Sequence, residues 1–71
     1  MHTYKLHLHK EAQGGFTVSV PSLPGCITYG ENVDEAISMA KEAIELYLEE
    51  LKERGEVIPD DNNVLEYSLI V

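Results

Sequence analysis

Cysteine, basic residues and long apolar runs are all scarce in this chain, and each scarcity excludes something. The single cysteine, Cys26, has no partner within the 71 residues, so no disulfide framework holds the fold. Five lysines and arginines stand against thirteen aspartates and glutamates, a formal charge of -8. A surface of that sign repels phosphate backbones and suits basic partners or plain solubility. No segment approaches the ~20 apolar residues of a membrane helix. The opening MHTYKLHLHKE has no apolar core of a signal peptide. A soluble, cytoplasmic protein without membrane contact is therefore expected. Repeats and low-complexity linkers are also missing, which leaves one domain over residues 1–71.

What is present is enough for a globular fold: 44% of the residues are hydrophobic. At this length one core gives only marginal stability, so self-association as a homodimer or larger is expected too. In Thr3 to Lys10, Tyr4, Leu6 and Leu8 alternate with Lys5, His7 and His9, the period of a half-buried strand. EAQGG supplies a turn, and Gly15 to Val20 alternates again through Phe16, Val18 and Val20. The two strands predict a hairpin.

VPSLPGCITYG, Val20 to Gly30, concentrates stiffness. Pro21 cannot donate to a ladder and ends the second strand. Pro24-Gly25 suits the centre of a type II turn. Leu23, held between two prolines, is placed to plug one end of the core. Cys26 then reads as a small buried hydrophobe in a structural corner made by Pro21, Leu23, Pro24, Gly25 and Cys26. A third strand follows, ended by Gly30.

The helix has the clearest signal. Asn32 is its N-cap and Glu35 the third residue of a capping box. Val33, Ala36, Ile37, Ala40, Ala43, Ile44, Tyr47, Leu48 and Leu51 share one stripe. Gly55 is the C-terminal cap. After the loop EVIPDDNN, Val64 to Val71 reads as a last strand, with Leu65, Tyr67, Leu69 and Val71 on one face and Val64 and Ile70 on the other. The order is βββαβ, an α+β two-layer domain. A three-strand antiparallel meander is covered by one long helix, and the last strand returns parallel to the first in the order 3-2-1-4.

Gly14-Gly15-Phe16, Val20-Pro21 with Leu23 to Cys26, Gly30, Glu35-Ala36 and Ala40 through Glu49 form a pattern that resembles the HicB family of antitoxins. The resemblance runs from Gly14 to Pro59. It implies a reduced RNase H-like fold and a protein partner, the HicA toxin, a small basic ribonuclease that cuts mRNA. The antitoxin would act by covering the toxin's active site. Members usually carry a further DNA-binding segment; with Val71 directly after the last strand, DNA is not an expected partner. Ser22 and Asn32 stand where the family usually has Asp and Thr.

Candidate surfaces follow from the residues. On the helix, Glu42, Glu45, Glu49, Glu50 and Glu53 outnumber Lys41, Lys52 and Arg54. That face would steer a basic toxin, and it reads equally as a solubilising face. Met39 and Leu46 lie roughly 110–130° from the centre of the apolar stripe. They read equally as peripheral core or as a protein contact, and with Leu69, Ile70 and Val71 they are the candidates for an oligomer contact. His7 and His9 share the outer face of the first strand. They could bind zinc only with a third ligand, and no Cys or carboxylate in the strand completes the set, so solvent-facing histidines are the simpler reading. A nuclease of the RNase H type needs a carboxylate on that strand, where Lys5, His7 and His9 stand instead. No catalysis, metal or cofactor is expected. The alternative to an antitoxin is a stand-alone oligomeric domain with a structural or small-ligand role.

Overall fold

The computed structural model describes residues 2–62 and 65–71. It contains β1 (His7–Lys10), β2 (Phe16–Ser19), β3 (Ile27–Gly30) and α1 (Val33–Glu53). The strands form one antiparallel sheet with β2 in the centre. His7 faces Ser19 and Lys10 faces Phe16; Phe16 faces Gly30 and Ser19 faces Ile27. This register puts Val18 on the helix side and His7, His9, Thr17, Ser19, Ile27 and Tyr29 on the other, as the period of two requires.

The β1–β2 turn is closed by two bonds: the Glu11 N–H donates to the Gly15 carbonyl and the Gly14 N–H to that of Glu11, each at 3.0 Å. Gly14 and Gly15 take φ of 105° and 79°, a region that side chains rarely enter. The β2–β3 connection is the proline corner. The Leu23 N–H donates to the Val20 carbonyl at 2.9 Å, and the Cys26 N–H to that of Leu23 at 2.9 Å. The Val20 N–H closes the loop onto the Cys26 carbonyl at 3.1 Å. Gly25, φ 82°, takes the positive-φ position after Pro24. Two consecutive turns thus point Leu23 inward, where none of it is exposed.

Both helix ends are satisfied locally. The Asn32 side-chain oxygen accepts the Glu35 N–H at 2.8 Å, and the Glu35 carboxylate accepts the Glu31 N–H at 2.9 Å. The carboxylate thus reaches one residue past the N-cap, where a standard capping box would bond the N-cap itself. At the other end the Gly55 N–H reaches the Lys52 carbonyl and the Glu56 N–H reaches that of Leu51, with Gly55 at φ 69°. This is a Schellman closure.

The helix packs across β3 and β2. Its first half presents Ala36 and Ala40 to Val18, with Leu6 and Phe16 at the margin. Small side chains let the helix approach the sheet closely there. Its second half presents Ala43, Ile44, Tyr47 and Leu48 to Val20, Leu23 and Cys26. The larger side chains fill the space towards the corner.

Two expectations change. The first strand starts at His7, not Thr3, because the chain before it is bonded elsewhere. The Lys5 N–H donates to Asp61 and the Tyr4 hydroxyl to the Pro59 carbonyl. The helix lies over β2 and β3, so Leu8 on β1 remains exposed. The expected last strand, Val64 to Val71, begins outside the described residues. Residues 65–71 form no strand, and the order among the described residues is β1-β2-β3 rather than 3-2-1-4. Their described anchor is one contact, Glu66 to His7 at 3.5 Å. One such contact is small against the conformational entropy of seven residues.

Gly30 sets the closeness of sheet and helix. A Cβ at this position would lie 2.3 Å from the Ala36 backbone nitrogen. Gly30→Ala is expected to cost about 2–3 kcal/mol by forcing the helix N-terminus away from the sheet. Urea unfolding of the variant against the wild type measures it.

Candidate protein-interaction surface

Three surfaces remain after the core is accounted for: the outward side of α1, the outer face of the sheet and the exposed C-terminal segment. On α1, Glu42, Glu45, Glu49, Glu50 and Glu53 are all exposed. Arg54 contacts Glu50 at 3.5 Å and Glu56 at 3.2 Å, which partly neutralises the helix end. Met39 and Leu46 are 44% and 62% exposed. They lie on the outward side of the helix, away from the centre of its apolar stripe.

Leu69, Ile70 and Val71 are exposed along with Leu65 and Tyr67. Between the start of the chain and the helix lies an open groove. Tyr4, Leu6, Ile37, Ile44 and Leu48 form its apolar wall, with Lys41 and Glu45 at the rim. It exists because α1 is offset from β1. Periodicity alone could not show that offset, since the sequence pattern gives which side of a helix is apolar but not which strands it crosses.

The histidines behave as the outer face dictates. His7 Nε2 lies 3.5 Å from Glu66 and His9 Nε2 3.5 Å from Glu11, all four side chains open to solvent. Each histidine thus has its own carboxylate, brought by a different segment. Among the described residues no three His, Cys, Asp or Glu side chains converge to hold a metal ion.

Cys26 is buried in the corner, and loss of solvent raises its thiol pKa. A raised pKa leaves little thiolate at neutral pH, so the environment opposes nucleophilic chemistry. Tyr47 donates from its hydroxyl to the Pro24 carbonyl at 2.8 Å and ties the helix to the corner. Tyr29 lies across the β1–β2 turn, its hydroxyl 3.2 Å from the Gly14 carbonyl. A Cβ on Gly15 would overlap that ring.

One residue was not singled out by its sequence context. Asp61, within a plain acidic loop, accepts from the Ser22 hydroxyl and from the Lys5 N–H. It clamps the return loop to both the corner and the approach to β1. The Ser22 hydroxyl first, and then the Lys5 backbone N–H, hold its carboxyl below the ordinary 3.8. Tyr4 is shifted upward, by burial first and then by the charges of Asp60 and Asp61.

The arrangement offers surfaces for protein contact, and the sequence relationships agree. Residues 4–69 match the model of a HicB-like antitoxin of bacterial toxin-antitoxin systems. The chain belongs to the HicB-like antitoxin family. This HicB-like chain is 46% identical over 59 residues to a UPF0150 protein of Thermoplasma acidophilum, covering 83% of its own length and 86% of that protein. A UPF0150 protein of Archaeoglobus fulgidus is 47% identical over 57 residues, 78% of this chain and 83% of the other. An uncharacterized 14.9 kDa protein of Haemophilus phage HP1 is 38% identical over 58 residues, which are 82% of this chain but 44% of the phage protein. None of these three names states an activity. Among the described residues of the HicB-like fold, no helix is long and apolar enough to cross a membrane.

The Asp61 clamp has a pH signature. The folded-state pKa lies below the unfolded one, so the clamp contributes fully above the unfolded value, about pH 4. Its contribution is lost as pH falls through the depressed folded value. Asp61→Ala is expected to lower the melting temperature at pH 7, with the gap to wild type closing on acidification below about pH 4. Parallel thermal melts across pH test it.

Proposed function

We propose that this HicB-like domain is an antitoxin module that neutralises a small, basic HicA-type mRNA-cleaving toxin by covering its active site. The single observation that carries this reading is family membership across residues 4–69. The physical support is the exposed row of helix carboxylates on a chain of charge -8. Such a face raises the encounter rate with a basic protein and competes with RNA for the same cationic surface. Inhibition is then steric and electrostatic and requires no chemistry from this chain. A toxin acting on mRNA places the pair in the cytoplasm.

The same reading includes a completed, reduced RNase H-like sheet. Asp61 fixes the return loop beside Lys5, and Glu66 reaches His7. From one contact to the next both segments advance in the same direction, which supports a last strand added to the β1 edge in parallel. Leu65, Tyr67 and Leu69 would then cover the open groove, and Ile70 and Val71 would face a second copy. The exposure of these residues also favours a second reading, an oligomeric domain without a toxin.

Calorimetry with a purified HicA-type toxin from the same genome separates the two. Binding near the nanomolar range, weakened by salt, together with arrest of mRNA cleavage, is the expected outcome. Absence of binding at low salt would leave the oligomeric reading. For the segment itself, Leu69→Asp is expected to cost about 1–3 kcal/mol of unfolding free energy if it packs as a strand. An exposed leucine would show no change.

A further inference from the structure

We infer that Met39 and Leu46 are not a self-association contact but the apolar centre of the surface that receives a basic protein partner. The inference rests on the antitoxin reading for its partner class and goes beyond it in assigning the surface. By helix geometry Met39 and Leu46 lie within about 20° of each other around α1, two turns or about 10 Å apart along its axis. Glu42, Glu49, Glu50 and Glu53 all fall within about 60° of Leu46 on the same side. Lys41 and Lys52 lie about 120–140° away from it. Of the four carboxylates, Glu50 is engaged by Arg54, whereas the described ion pairs include none of Glu42, Glu49 and Glu53. Two exposed apolar side chains therefore sit among carboxylates, with Arg54, about 80° from Leu46 and paired with Glu50, as the nearest cation at the C-terminal end of the patch.

That composition decides between the two occupants. A two-fold contact places a patch against its own copy. Here it would bring Glu42, Glu49 and Glu53 against the same three carboxylates while removing water from between them. The burial of one methionine and one leucine is small beside that repulsion. A partner carrying lysines or arginines around an apolar depression has neither difficulty. Met39 and Leu46 would supply the desolvated centre, and the carboxylates the charged rim, the usual anatomy of a specific interface. The groove lining includes neither Met39 nor Leu46, so the two surfaces are separate.

The test uses the whole chain and two probes. The first is a helical peptide of leucine and lysine, titrated at low and moderate salt. Met39→Gln with Leu46→Gln is expected to weaken its binding about tenfold. Glu42→Gln with Glu49→Gln is expected to weaken it and flatten the salt dependence. Ile27→Gln, on the outer sheet face, is the control and should change nothing. The second probe is sedimentation of the protein alone, where the Met39/Leu46 variant should match wild type. Equal peptide binding by all variants, or a smaller assembly on changing Met39 and Leu46, would overturn the inference; the latter would assign the face to a second copy. The HicA-type toxin distinguishes the two levels. Toxin arrest that persists in both helix variants sinks this surface and spares the antitoxin reading. Wild-type protein that binds the peptide through this face but not the toxin sinks the antitoxin reading alone.

Discussion

The inward seating of Leu23 is the constraint on which the rest depends. Two prolines and a positive-φ glycine bend five residues between Val20 and Cys26 into consecutive turns, and the result is a fully buried side chain at the tip of a loop. Loops are ordinarily surface features. This one is a core element because its own backbone bonds are closed within the corner and because two other segments attach to it. Tyr47 bonds the Pro24 carbonyl from the helix, Asp61 takes the Ser22 hydroxyl from the return loop, and Ile44 and Leu48 of the helix pack on the cluster of Val20, Leu23 and Cys26. Loosening the corner would weaken the second half of α1 and the return loop together, although Tyr4 and Lys5 also hold the return loop. At the opposite end Gly30 against Ala36 does the same for the first half of the helix.

Stiffness of this kind answers a shortage. The fully or nearly buried apolar residues are few: Val18, Val20, Leu23, Cys26, Ala36, Ala40 and Leu51. Two of them are alanines, which bury little area. A chain with so small a core gains by restricting what the unfolded state can sample, and prolines do so without adding a contact. The position of the lone cysteine belongs to the same logic. Cys26 fills a small space at the end of the corner, and the burial that makes it useful there also keeps its thiol protonated.

The elements most legible in the sequence are those determined by neighbours in the chain. Asn32 and Glu35, Gly55, Pro24-Gly25 and the Gly14-Gly15 turn each depend on residues within a few positions, so pattern and propensity suffice. The hairpin and helix follow from periods of two and 3.6. What was not legible is set by distant residues. Asp61 reads as part of an acidic loop until Ser22 and Lys5 are seen beside it, 39 and 56 positions away. The short β1 has the same origin: Tyr4 and Lys5 fit the strand pattern, but their polar groups bond the return loop. The offset of α1 from β1, which exposes Leu8 and opens the groove, depends on crossing geometry that an apolar stripe does not encode. Residues 65–71 carry a strand's alternation without a strand's pairing, because alternation states what a segment could bury and not whether anything lies against it.

The exposed half of α1 follows from how this small domain uses its one long helix. A 21-residue helix is longer than a sheet of four-residue strands can cover. Its inward stripe is divided between the sheet and the corner, and its outward side has no structural duty in the monomer. Solubility alone asks for charge there, of either sign, and is indifferent to Met39 and Leu46. Two unburied apolar side chains cost solubility, and apart from Glu50 with Arg54 the carboxylates around them make none of the described mixed ion pairs that would stabilise an isolated helix. Both departures become favourable against one kind of surface, a cationic one with an apolar recess. In a family of antitoxins that is the kind of partner whose capture would give the domain its use.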